Sequence, residues 1–229
     1  MRVVVFDIWG DLALFRRFDT NTSILTHSFP PPTAVLGMLG AILGLHRNDY
    51  IEQLRGTRIG VELLHPVKKL RMAVNYTNTK GRDMTGRNGR TQIPAEFIKD
   101  PAYRLYIVNE AIQDDLVTML EGHKSVFTLS LGLSELLANF EFVGLYSCEQ
   151  SSGKGVVNSI IPTSVVYRID FLADGGKPKR MVKERVPVSM KPDRTVTQYE
   201  DVIVEENAEA VGGEFKEFFT VGDKAVVLF

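Results

Sequence analysis

The run Phe29-Pro30-Pro31-Pro32-Thr33, followed by Ala34-Val35-Leu36-Gly37-Met38-Leu39-Gly40-Ala41-Ile42-Leu43-Gly44-Leu45, restricts this chain more than any other segment. Proline fits the first turn of a helix, where its missing N–H would lack a partner anyway. The spacing predicts a helix from about Thr33 to His46, apolar nearly all round and therefore buried. At 100° per residue, Gly37, Gly40 and Gly44 fall within about 60° of one another. Each glycine costs roughly 1 kcal/mol relative to alanine in a helix, so something approaches that face closely: a packed neighbour or a ligand backbone. The helix start is a second candidate. The N–H groups of Thr33, Ala34 and Val35 are expected to be free there, and a helix N-terminus attracts phosphate; simple capping by Thr33 is the alternative.

Around this helix the pattern alternates. Val3, Val5, Asp7 and Trp9 stand against Val4, Phe6 and Ile8, the period of a strand with one apolar and one mixed face. A short helix is expected between Asn48 and Gly56, then strands near Thr57–Leu64, Lys69–Asn75 and Tyr103–Val108. Asn109 is a candidate cap for a helix carrying Ile112, Leu116, Met119 and Leu120 on one face, with Gly122 at its end. Val126–Leu131 and Phe140–Tyr146 read as further strands around a helical turn at Leu133–Ala138. This order suits an α+β, ferredoxin-like domain over residues 1–146, with helices on one face of an antiparallel sheet. Residues 147–155, with Ser151-Ser152-Gly153-Lys154-Gly155, read as a hinge, and 156–229 as a small β-rich C-terminal region.

At 229 residues the chain is long enough for a substantial core. Its longest uncharged apolar run is too short to cross a bilayer, Asp7 interrupts any signal-like stretch, and the chain is expected to be cytoplasmic. The lone Cys148 excludes an internal disulfide and a cysteine-rich zinc site. Net charge is −1, yet it hides two basic segments: Lys68–Arg90, and Lys177–Arg194. Asn75–Thr91 has almost nothing to bury and is expected to project as a loop or long hairpin, which in a compact domain points to function. Its Lys80, Arg82, Arg87 and Arg90 are candidate phosphate contacts. Met84 is its flexible apolar side chain, suited to wedging against an unstacked base. The stretch from Trp9 to Phe18 sets aromatics beside Arg16 and Arg17, a combination suited to single-stranded RNA, although strand aromatics such as Trp9 more often pack a core.

Signs of catalysis are few. His27, His46, His65 and His123 are scattered without metal-ligand spacing. No nucleophile elbow, P-loop or dinucleotide fingerprint occurs. No cofactor, metal site or catalytic set is expected. His27 or His123 could serve a metal-independent ribonuclease in principle.

Specific residues carry more than their periodicity. Phe6-Asp7-Ile8-Trp9-Gly10, Phe15-Arg16 and the whole Ser28–Leu45 run resemble the N-terminal signature of the fifth Cas protein family of type I CRISPR effector complexes (Cascade), within the RAMP superfamily. Leu131-Gly132-Leu133-Ser134-Glu135-Leu136-Leu137-Ala138 resembles a second landmark, and the likeness is closest to subtype I-B. The resemblance implies a ferredoxin-like (RRM/RAMP-type) domain with a protruding β-hairpin thumb, here about residues 75–91. It implies a non-catalytic subunit that binds and caps the 5′ handle of the guide RNA. Its partners would be the repeated backbone subunit and the large subunit, with target DNA reached through the assembled complex. The residues singled out for RNA are Trp9, Arg16, Arg17, Thr33, Ala34, Gly37, Lys80, Arg82, Met84, Arg87 and Arg90. The alternatives are a RAMP endoribonuclease that processes precursor RNA and a stand-alone RNA-binding module.

Overall fold

A computed structural model describes residues 1–20, 23–77, 89–172 and 176–229. In chain order the elements are β1 (Arg2–Trp9), β2 (Leu12–Ala13), α1 (Pro32–Leu43), α2 (Tyr50–Gln53), β3 (Arg58–Leu63), β4 (Lys69–Thr77) and β5 (Arg90–Lys99). Then come β6 (Ala102–Val108), α3 (Gln113–Glu121), β7 (Asn139–Val157), β8 (Ile161–Pro162) and β9 (Val166–Ile169). The last are β10 (Met181–Met190), β11 (Val196–Glu205), β12 (Val211–Val221) and β13 (Lys224–Val226). The protein is mixed α+β, dominated by antiparallel strands.

The main sheet runs β13-β12-β7-β1-β6-β3, with β9 also on β12. The alternation in β1 sorts its side chains. Val4, Phe6 and Ile8 face the core beneath α1 and α3, while Val3 and Val5 enter a second core with Tyr106, Phe219 and Val221. The sheet curls far enough for the chain end to reach its opposite edge, where Phe229 N–H donates to Ile59 O at 2.9 Å, and the β7–β8 link joins the same edge through Ile160 N–H to Val61 O at 2.8 Å. That leaves β3 little open edge.

The all-round apolar character of α1 follows from two packing partners. One side meets the main sheet, and the other meets the β10-β11-β8 sheet through Val186, Val188 and Val202. Val35, Leu39 and Ile42 are sealed completely, each contributing roughly 1.5–3 kcal/mol by leaving water. The helix stops at Leu43, three residues before the predicted end at His46, because Gly44 takes the left-handed conformation at φ 72° and donates its N–H to Gly40 O.

Several expectations need correction. Residues 147–155, read as a hinge, are uninterrupted β7, paired with β12. Of their two glycines, Gly155 is a packing device, since a Cβ there would lie 2.9 Å from the Phe218 ring, while Gly153 takes a positive φ of 94°. Val126–Leu131 is a loop rather than a strand, since the Val126 and Phe127 N–H groups donate to the Ile42 and Ala41 carbonyls at the end of α1. Asn109 accepts from Ala111 N–H in a turn at 3.0 Å, and α3 starts only at Gln113. The hairpin expected over Asn75–Thr91 needs no such correction at its described ends: β4 and β5 pair antiparallel in register from Lys69↔Ile98 to Thr77↔Arg90, and residues 78–88 lie outside the described residues.

Candidate nucleic-acid interface

The three glycines of the buried helix have three different neighbours. A Cβ on Gly40 would press on Tyr50 of α2 at 3.2 Å, and one on Gly44 would press on Val126 at 2.8 Å. Gly37 faces open space, with nothing within 4 Å of where its Cβ would be. It lies in a groove of about 190 Å³ between α1 and the Thr128–Gly132 loop, lined by Ala34, Gly37, Met38, Ala41, Thr128 and Ser130 among others. Small side chains and two hydroxyls give this groove a floor that a backbone can approach closely.

The loop is held in place by its glycine. Gly132 sits at φ 102°, where any Cβ would run into the Leu14 carbonyl oxygen. Leu14 N–H donates to Leu131 O at 3.0 Å. The groove is therefore joined to the segment that continues into Arg16 and Arg17. Phe15 beside them is buried and Arg16 is exposed. Arg17 is half-buried and forms a two-pronged pair with Asp19, its Nη2 2.8 Å from Oδ2. That hydrogen bond holds the Asp19 carboxyl below its usual range.

The helix start is less available than its sequence suggests. Ala34 and Val35 N–H both donate to Pro31 O, at 2.8 and 3.1 Å, so these two groups are not free for phosphate. Thr33 Oγ1 lies 3.5 Å from Pro187 O on β10, at the limit of a hydrogen bond. Trp9 is half-buried at the end of β1, between Ala102 and Asn139. By the period of the strand it shares a face with Asp7, which Arg104 grips through two hydrogen bonds of 2.7 and 2.9 Å. That is the face opposite α1, so Trp9 and Gly37 do not belong to one surface.

Arg90 is exposed at the start of β5, opposite Thr77. Lys80, Arg82, Met84 and Arg87 lie outside the described residues. The hairpin's base packs through Leu14, Ala95 and Phe97, with Leu133 and Leu136 from the Leu131–Ala138 segment against them. That segment thus supports both the groove and the hairpin. Sequence reasoning missed Thr128 and Ser130, because hydroxyls in a segment read as strand carry no signal of their own.

None of the four histidines stands at the groove. His27 is 2% exposed, His65 Nδ1 lies 3.0 Å from Asp100 O, and His123 stacks on Phe140 with centroids 4.7 Å apart. His46 is exposed beyond the end of α1, 3.7 Å from Asp49. Among the described residues no group of three or more His, Cys, Asp or Glu side chains could hold a metal ion. No described helix is long and apolar enough to span a membrane.

The family model described as CRISPR-associated protein (Cas_Cas5) matches residues 3–203. No curated protein sequence matches. Among solved structures, a CRISPR protein from Archaeoglobus fulgidus superposes with a TM-score of 0.59 at 16% identity, over 99% of this chain and 98% of its own. A chain of a CRISPR RNA-guided surveillance complex gives 0.60 at 12% identity, over 93% and 91%. A chain of the type III-B Cmr-beta complex bound to cognate target RNA and AMPPnP gives 0.50 at 13% identity, over 93% and 86%. At these identities the likeness is one of fold.

Proposed function

Since this chain belongs to the CRISPR-associated Cas5 family, we propose that it is a non-catalytic, RNA-binding subunit of a cytoplasmic Cascade-type effector complex. In this reading it holds the 5′ handle of the guide RNA, caps that end of the assembly, and joins the backbone subunit to the large subunit that engages target DNA. The observation that carries it is the open face of Gly37: a helix that otherwise packs tightly leaves one glycine uncovered, in a groove floored by small residues. A ribose-phosphate backbone fits such a surface, because it needs close approach more than it needs side-chain reach. Exposed Arg16, two residues beyond the Leu14 contact with Gly132, supplies charge, and the β4-β5 hairpin offers Arg90, whereas Arg71 is held by Glu96 at 2.9 Å. The strand order β7-β1-β6-β3, with α1 and α3 on one face, supports reading residues 1–146 as ferredoxin-like.

The test is co-expression with candidate subunits and a repeat-spacer array, followed by sequencing of the RNA that co-purifies. Guide RNA with a uniform 5′ end, weakened by Arg16→Ala, is the expected outcome. Purification of an assembled complex whose RNA is unaffected by Gly37→Leu and Arg16→Ala would place the handle elsewhere.

A further inference from the structure

Beyond Arg16, residues far apart in sequence meet on an exposed surface. The Phe18 ring packs on Tyr199 of β11 with centroids 4.6 Å apart and planes inclined at 46°. The Arg185 guanidinium of β10 lies 5.7 Å from the centre of the Tyr199 ring. Phe18 nevertheless stays 55% exposed. The contact thus leaves one face of an aromatic pair open beside a guanidinium.

The charges around it are unevenly satisfied. Arg17 is tied to Asp19 and Lys183 to Asp201, each at 2.8 Å, whereas Arg16 and Arg185 form no ion pair among the described residues. Asp201 stands across the ladder from Arg185 but spends its carboxylate on Lys183. The backbone links this surface to the groove. Leu14 touches Gly132, and Phe18 follows four residues later, about 13 Å along an extended chain at ~3.3 Å per residue.

We infer that Phe18, Tyr199 and Arg185 form a stacking subsite for one unpaired base of a single-stranded nucleic acid. Every base offers a π-face, so an exposed aromatic ring beside a guanidinium binds without reading sequence. The subsite rests on the RNA-binding reading above and extends it to the C-terminal sheet. The base could belong to the guide RNA or to a displaced DNA strand, and the chemistry is shared.

The test uses the full chain in its assembled complex, offered two single strands of one sequence, RNA and DNA, each carrying a 5-iodopyrimidine. Irradiation should join the bound strand to a peptide containing Phe18 or Tyr199, and whichever strand is joined identifies the source. In parallel, Phe18→Leu keeps an apolar contact on Tyr199 but removes the ring. It should weaken binding roughly 5- to 100-fold while leaving the melting temperature and the salt dependence unchanged. Arg185→Gln should instead lower the salt slope by about 0.7. Normal RNA binding with no cross-link at either ring, or wild-type affinity in folded Phe18→Leu, would overturn the subsite and leave the RNA-binding reading standing. Absence of any RNA binding by the complex would overturn both.

Discussion

The His27 ring and the Glu184 carboxylate meet at 3.0 Å across 157 residues of sequence, both sealed from solvent. Ser28 joins them, donating its N–H and its hydroxyl to Glu184, the hydroxyl at 2.5 Å. Glu206 lies 3.1 Å from the same hydroxyl and is held by Arg180 at 2.8 Å. The segment leading into α1 is thereby clasped to β10 and to the end of β11. The His27 ring is thereby enclosed in the joint between the two halves of the chain.

The clasp makes stability depend on acid. Burial pushes the Glu184 carboxyl up, but hydrogen bonds from His27 and Ser28 outweigh it and hold the group below its ordinary value. A carboxyl depressed in the folded state stabilises above its unfolded pKa and loses that contribution as pH falls through the folded one. Urea unfolding followed from pH 7 downward should therefore weaken below about pH 4.5, and Glu184→Gln should flatten that limb. At pH 7, Glu184→Ala strands two buried donors, His27 Nδ1 and Ser28 N–H, at about 1–3 kcal/mol each, a loss visible as a lower urea midpoint.

Gly37 and Gly40 should respond oppositely to the same change. Gly37→Ala gains helix propensity of up to about 1 kcal/mol and meets no atom within 4 Å, so melting temperature should rise. Gly40→Ala places a methyl 3.2 Å from Tyr50 Cβ, an atom fixed to the α2 backbone, and should lose at least that propensity gain. If RNA uses the groove, Gly37→Leu should remain folded while losing tenfold or more in affinity for guide RNA.

This pair also marks how far the sequence could be read. The PPPT start, the buried helix and the alternation of β1 are local patterns, and each predicts an element that exists. Which glycine stays uncovered is not local, since it depends on Tyr50 and Val126 arriving from elsewhere. Neither β5 nor β12 stands out as a strand in the sequence, although 156–229 reads as β-rich: β5 carries Pro94, a residue that weakens a strand pattern, and β12 carries Gly212-Gly213. Both glycines make room instead: a Cβ on Gly213 would lie 2.8 Å from the Phe215 ring. The Phe18–Tyr199 contact joins residues whose proximity no periodicity could reveal.

No sequence-specific cleavage of repeat RNA is expected in EDTA. A general base must come within about 2.6–3.2 Å of the proton it takes; His27 is closed off, and His123, exposed and stacked on Phe140, does not line the groove proposed for RNA. Gel analysis of end-labelled repeat RNA checks this. Multiple-turnover cleavage abolished by His123→Ala would instead establish the nuclease reading.

The hairpin offers the cleanest separation of folding from RNA retention. Thr77 and Arg90 are directly opposed on the β4-β5 ladder. Removing residues 79–88 leaves Asn78 joined to Gly89 between them. Asn-Gly is the preferred two-residue hairpin turn, because both central positions take positive φ and the resulting twist matches that of the strands. The base of the hairpin, packed on Leu14, Leu133 and Leu136, is untouched by this deletion. The shortened chain should therefore fold with an unchanged or higher melting temperature. It also loses Lys80, Arg82 and Arg87, and at roughly 0.7 per phosphate contact on a single strand the salt slope of guide RNA binding should fall by up to about 2. Lost affinity with an unchanged slope would mean that the segment acts through shape or through a protein partner. Unchanged affinity and assembly would reduce it to a solvated loop.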